Sequence, residues 1–407
     1  MDTVSTVEAI RAQFPILNRK VKGKPLVYFD NAATSQKPQR VLDAIDHYYK
    51  NTNANVHRGI HTLSEEGTLA MEDSRNYIAA YIGAKREEVV FTKGTTEGIN
   101  MVAHCLGLSH FKKGDEILIS AMEHHANIVP WQLLCERLGL SLKVVEMNDK
   151  GELRLDSFRA LLSEKTKLVS LVHTSNSLGT INPVKEVIKE AHEAGALVLL
   201  DGAQAMAHGT VNVKELDCDF FVFSSHKVFG PTGVGILYGK EDLLEKMPPY
   251  QSGGEMISEV SFERTTFSDL PYKFEAGTPH IEGNIVLAEA LKWFSGLDTS
   301  WVEAHETALL TRVTEHLSAI DGVQIIGEAS RKTCVASFVV DGVHHQDLAL
   351  FLDTHGIAVR TGHHCTQPLM SCFGISGTTR ASFSVYNTIE EIDFFAEALR
   401  KSINILR

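Results

Sequence analysis

From residue 88 to 239 the chain alternates short β-branched runs with longer helical patterns, an order that leaves few architectures besides βα units feeding a mostly parallel sheet. The runs are EVVFT (88–92), EILIS (116–120), SLKVVEM (141–147), KLVSLVHT (167–174), ALVLLD (196–201), DFFVFS (219–224) and VGILYG (234–239). Between them lie patterns such as IVPWQLLCERLG and VKEVIKEAHEAG, the second closing on Gly195 in the C′ role. A domain of this kind carries helices on both faces of its sheet. Beyond Gly283 the pattern changes to a long helical stretch over 285–320, then strands VQIIG, TCVASFVV, IAVRT and TTRASFSVY, with helices at HHQDLALFLDTHG and IEEIDFFAEALRKSINIL. We expect a large α/β domain over 31–284 and a smaller α+β domain built from 1–30 and 285–407.

At 407 residues and 43% hydrophobic, the chain has enough apolar content for both cores. The net charge of −12 argues against a face that neutralises nucleic-acid phosphates. No run of about 18 uncharged apolar residues is present, so a membrane span is not expected. The first residues include Asp2 and Glu8 and lack a signal peptide's basic and apolar regions. Ser5 and Glu8 instead have capping-box spacing, which predicts a short N-terminal helix. Six cysteines without a C-x-x-C pair suit a reducing cytoplasm.

Several polar residues fall where strands end, the edge at which open α/β sheets gather ligands. Asp201 closes ALVLLD, and Ser224, His226 and Lys227 follow DFFVFS. An Asp leaving a strand is also a common turn former, and most lysines are solvated. Lys227, however, lies between apolar strands, and partial burial lowers an amine's pKa toward what Schiff-base chemistry requires. Gly94, Thr95 and Thr96 open a helix after EVVFT, a place suited to an anionic phosphate, although the same residues also read as an ordinary N-cap. Glu123, His124 and His125 follow another strand; successive residues point apart and no further ligand follows at zinc spacing, so no metal is expected.

In the C-terminal region, Arg360, His363, His364 and Cys365 share a Gly-containing loop, where a thiol beside imidazoles is a candidate nucleophile. Arg380 lies in an apolar strand pattern and calls for an anionic partner, which a substrate carboxylate would supply.

Taken together, YFDNAAT, NVHRGIHTLS, FTKGTTEGIN, EHHANIVPW, SNSLGTINP, LDGAQ, FSSHKVFGPTGVGILYG, FEAGTP, RTGHHCTQPLM and RASFSVYNT resemble, in order and over nearly the whole chain, the group II cysteine desulfurases of the Suf and Csd type. These are class V, fold-type-I pyridoxal-phosphate enzymes. The resemblance implies that Lys227 bonds pyridoxal 5'-phosphate and then serves as base, with Asp201 on the pyridine nitrogen. It implies His124 stacked on the ring, Gln204 on the ring oxygen, and Thr96, Ser224 and His226 on the phosphate, joined by Thr278 from a second subunit. Asn176 and Arg380 would hold the substrate carboxylate. Cys365 would take sulfur from L-cysteine as a persulfide and hand it to an acceptor protein of the SufE or CsdE type, serving iron–sulfur cluster assembly. Ser225, His280 and Thr366 depart from residues frequent in the family. Two alternatives stand beside this reading: a selenocysteine lyase of the same family, and a non-catalytic scaffold for iron.

Overall fold

The computed structural model describes residues 6–407. Its centre is a seven-stranded sheet in the order Val89–Thr92, Gly235–Gly239, Phe220–Ser224, Leu197–Asp201, Thr166–Val172, Glu116–Ser120 and Ser141–Val145. Only Gly235–Gly239 runs antiparallel to its neighbours. All seven expected strands are present, most trimmed by one or two residues. Their burial explains their composition: Val89–Thr92, Phe220–Ser224 and Gly235–Gly239 are buried at every position, as expected of strands covered on both faces. The fold is therefore the mixed, mostly parallel α/β architecture expected, with helices packed on the sheet.

A second sheet of four antiparallel-paired strands, Val323–Ile326, Val335–Val340, Thr378–Ser382 and Arg360–Gly362, builds the C-terminal part. Helices Thr299–Ser318, His345–Thr354 and Ile389–Leu406 close its core around Phe29, Phe338, Phe383 and Phe395.

Three details differ from the sequence expectations. The stretch 285–320 is two helices, Ile281–Phe294 and Thr299–Ser318, because Asp298 caps the second through the amides of Ser300 and Trp301. The first of them packs its apolar face with Ile10, Phe14 and Leu17 into the larger core, so that core reaches past residue 284 and takes in part of 1–30. The N-terminal helix is Val7–Arg11, capped by Thr6 through the Ala9 amide at 3.3 Å. Ser5, the cap expected from the sequence, lies outside the described residues.

Candidate active site

The carboxyl ends of the parallel strands deliver Asp201 and Ser224 to one cavity of 260 Å³, and the C-terminal part of the chain lines it with Arg360, His364, Cys365 and Arg380. Every residue to which the resemblance gives a role lines this cavity except Thr278, which is exposed and outside it in its own chain; of the other candidates, Gly94, Glu123, His125 and His363 lie outside its lining.

Asp201 is buried at 3% exposure, and one carboxylate oxygen accepts the Ala203 amide at 2.9 Å. Burial raises its pKa while the Lys227 charge opposes that shift. Lys227 closes the short 3-10 turn Ser225–Lys227. Desolvation pushes its amine below the ordinary lysine value, with Asp201 pulling the other way. An amine and a carboxylate held this way are each biased toward neutrality, the state from which both can exchange protons.

The helix Thr95–Ser109 starts against Ser224: the Thr95 amide donates to the Ser224 hydroxyl at 2.9 Å, and the two hydroxyls lie 2.9 Å apart. Close approach of backbones makes this possible, since a side chain on Gly235 would meet Gly94 Cα at 2.4 Å. Thr96 and His226 face the same end of the cavity. Burial, then the charges of Lys227 and Lys37, push His226 down to about 4, a shift that an arriving phosphate would oppose.

His124 caps the turn His125–Asn127 by accepting the Ala126 amide on Nδ1 at 3.0 Å, which leaves its proton on Nε2. Burial and Lys227 push its pKa down to about 4, so the ring is a neutral, flat face. Beneath it a buried network fixes the turn. Glu123 accepts the Ser120 hydroxyl at 2.6 Å, the Val172 amide at 2.9 Å and the Asn127 amide at 2.7 Å, while Asn127 accepts Trp131 at 2.9 Å. Gln204 is buried and donates to the Ala32 carbonyl at 2.7 Å.

Arg380 is almost fully buried, and the anionic partner it calls for is supplied within the chain. It meets Asp30 at 3.2 Å and the Asn176 carbonyl at 2.9 Å. Arg360 clamps the same Asp30 with two nitrogens at 3.0 Å. Arg380 Nε has no hydrogen-bond partner, and burial lowers the guanidinium to about 10. Asn176 donates to the His364 carbonyl at 2.9 Å and leaves its Oδ1 buried without a partner. The amide nitrogen carries a second N–H that the His364 carbonyl does not use, which is the donor a carboxylate needs.

Cys365 is exposed, with φ +57°, and follows His364 at φ +52°. Two successive non-glycine residues in the left-handed region persist only where surroundings over-determine them. Here they do: the His125 amide donates to the Cys365 carbonyl at 2.7 Å, and the Gln367 amide donates to His125 Nε2 at 3.1 Å. Thr366, fully buried, donates to the His363 carbonyl at 2.8 Å and lies 2.7 Å from the Ser177 hydroxyl. The departure at 366 thus adds a fastening to the loop. Ser225 is also buried, and its hydroxyl has no partner; nothing in the structure explains that departure. His280 caps the helix Ile281–Phe294.

The sequence reading missed Asp30 and Ser177 as parts of the site. Asp30 sits in the quoted YFDNAAT segment, but its pairing spans 350 residues, which no local spacing reveals.

With this geometry in hand, the comparisons with known proteins are unambiguous. The Aminotransferase class-V family matches residues 27–395, and the chain belongs to that family. A probable cysteine desulfurase of Vibrio cholerae is 50% identical, covering 98% of this chain and 99% of the relative. The apo structure of a cysteine desulfurase from Thermococcus onnurineus NA1 superposes with TM-score 0.94 at 41% identity, covering 99% of both chains. The Escherichia coli cysteine desulfurase CsdA, solved in an S-sulfonic acid form, gives 0.92 at 37%, covering 99% of this chain and all of the other.

The cofactor of this fold is pyridoxal phosphate, and the residues fit it: a buried carboxylate and a desolvated lysine at the ends of adjacent parallel strands, a neutral imidazole, and a helix N-terminus with hydroxyls for the phosphate.

Proposed function

We propose that this chain is a pyridoxal-phosphate-dependent cysteine desulfurase that converts L-cysteine to L-alanine and retains the sulfur as a persulfide on Cys365. The observation that carries the reading is the exposed Cys365 thiol at the edge of the cavity that also holds Lys227 and Asp201. When bound, the cofactor draws electron density from the substrate Cα. Asp201 holds a proton toward the ring nitrogen, and His124 covers the ring face. Thr96, Ser224 and His226 hold the phosphate, and Gln204 the ring oxygen. Arg380 and the second N–H of the Asn176 amide orient the substrate carboxylate. Lys227 Nζ takes the Cα proton and later returns a proton to carbon. The Cys365 thiolate attacks the substrate sulfur: an S–S bond forms, the C–S bond breaks with its electron pair left on carbon, and protonation of that carbon yields alanine.

The loop around Cys365 is short and fastened at several points, which favours sulfur collection by a visiting acceptor of the SufE or CsdE type, for iron–sulfur cluster assembly. The names of the relatives favour cysteine over selenocysteine as substrate, and no observation favours an iron scaffold. Six free cysteines suit a reducing compartment such as the cytoplasm, and no helix of the described residues is long and apolar enough to cross a membrane.

A homodimer is part of the proposal, supported by the position of Thr278. Its neighbour Gly277 donates to Gly254, and Glu255 pairs with Arg58 at 3.2 Å, so Thr278 shares a surface with the 58–60 segment, where Ile60 is 95% exposed. Exposed apolar side chains there suit a partner copy, across which Thr278 would reach the other phosphate.

The test is incubation of the loaded enzyme with L-cysteine without reductant, with alanine assayed and persulfide mapped by mass spectrometry. Persulfide on Cys365 matched to alanine is the expected result; alanine without it would remove Cys365 from the reaction.

A further inference from the structure

A second cavity, of 520 Å³, is lined by Ala205 and His208 of the segment that follows Asp201 and Gln204. His208 ends the short helix Ala205–His208, Glu306 lies on Thr299–Ser318, and Cys334 directly precedes the strand Val335–Val340. All three line this cavity, and none belongs to the site described above. Glu306 and Cys334 are buried at 7% and 1% exposure.

Their donor atoms converge. His208 Nδ1 lies 2.9 and 3.1 Å from the two Glu306 oxygens and 3.7 Å from Cys334 Sγ, and one ligand atom from each residue falls within 4.8 Å of the others. Zinc with ordinary bond lengths and tetrahedral angles requires roughly 3.6 Å between sulfur and nitrogen and roughly 3.4 Å between nitrogen and oxygen. The sulfur–nitrogen spacing is met as it stands, and the nitrogen–oxygen spacing has only a few tenths of an ångström to open.

We propose that His208, Glu306 and Cys334 form a three-ligand site for a borderline-soft divalent cation, zinc being the best match, with the fourth position open to the cavity. The donor set selects the class of ion. Calcium and magnesium take oxygen ligands, whereas a thiolate, an imidazole and a carboxylate together suit zinc or cobalt. On binding, a metal–sulfur bond replaces the Cys334 S–H, whose proton leaves to solvent, and the proton that His208 Nδ1 shares with Glu306 is given up, leaving the neutral ring protonated on Nε2 and Nδ1 free to coordinate. Without metal the groups satisfy one another: the thiol donates to the Phe383 carbonyl at 3.2 Å and the imidazole pairs with Glu306. The three side chains therefore leave no buried polar atom without a hydrogen-bond partner in the metal-free protein.

Such a site joins two parts of the molecule. His208 stands four residues from Gln204 in the larger core, while Glu306 and Cys334 belong to the smaller part, whose Val335–Val340 strand pairs with the strand of Arg380. A bound ion would fasten the cofactor-side loop to the sheet that carries the carboxylate-binding arginine.

The experiment uses the cofactor-loaded protein with Cys365→Ser and Cys372→Ser, which removes the two exposed thiols. After equilibration with zinc and exhaustive dialysis, one zinc per chain is expected by elemental mass spectrometry. Adding Cys334→Ser or His208→Gln should cut retention roughly tenfold or more. Equal retention in all variants, or none in the parent, overturns the proposal. Because a variant at a buried site can fail to fold, cobalt is added to the parent as well. Tetrahedral d–d bands with a thiolate charge-transfer band that zinc abolishes support the site, and cobalt spectra without thiolate character reject it.

Discussion

The backbone amide of His125 donates to the carbonyl of Cys365 at 2.7 Å, so the loop bearing the exposed thiol hangs from the turn that positions His124. Two residues 240 positions apart in sequence are thereby one hydrogen bond apart, and what disturbs one loop reaches the other.

Thr366→Val tests this fastening. It keeps the volume of a fully buried side chain but removes the hydroxyl shared with His363 and Ser177. Stability in urea is expected to fall by about 1–3 kcal/mol, the cost of unsatisfied buried polar groups. Persulfide formation should slow while the cofactor's absorbance is unchanged; an unchanged rate with lowered stability would make Thr366 a purely structural residue.

Lys227→Ala and Cys365→Ala should separate cofactor attachment from sulfur transfer. The first is expected to lose the visible band that borohydride bleaches, and to lose about 10²–10⁴-fold or more in rate. The second should keep the band and lose alanine production from cysteine. Desulfuration by the Cys365 variant at the parent rate would contradict the role proposed for the thiol.

Asp30 sets the state of Arg380 before substrate arrives. Asp30→Asn removes the charge that pairs with Arg380 and Arg360, and should alter KM for cysteine more than kcat. Arg380→Lys, which cannot form a bidentate fork, should raise KM by roughly tenfold or more. Cysteamine, which has the thiol and amine of cysteine but no carboxylate, should discriminate poorly between the parent and the Arg380 variant. Equal loss with both compounds would place the defect elsewhere.

Two desolvated imidazoles, His364 buried and His173 partly so, predict the acid behaviour of the fold. Burial holds His173 down at about 4 and His364 at about 2, against an unfolded value near 6.5. A depressed histidine binds its proton in the unfolded chain first, so stability is full above the unfolded pKa and is lost as pH falls from about 6.5 toward these folded values. Urea midpoints should decline over that range, with proton uptake on unfolding. His364→Gln should flatten the decline by up to one proton; an unaltered slope would refute the assignment.

Much of this was legible in the chain. Glu116–Ser120 appears where EILIS predicts it, because strands buried on both faces must be written in apolar, β-branched residues. The strand-end residues Asp201, Ser224 and Lys227 follow from the same logic, since a parallel sheet turns every carboxyl end to one edge. The break at Asp298 was not visible: helical periodicity continues across it, and only the cap geometry ends one helix and starts the next. The Asp30–Arg380 pair and the His208–Glu306–Cys334 cluster were equally hidden, because each is assembled from distant segments whose meeting depends on how the two cores pack.

The fastened Cys365 loop bears on supply as well as chemistry. A thiol that stays in place carries a single sulfur, and on the reaction proposed above the next cysteine finds no acceptor until that atom is removed. Turnover would then be paced by the consumer, rising with the abundance of the collecting molecule and idling in its absence. Reactive sulfur would be held in reserve, one atom per chain, instead of escaping as sulfide.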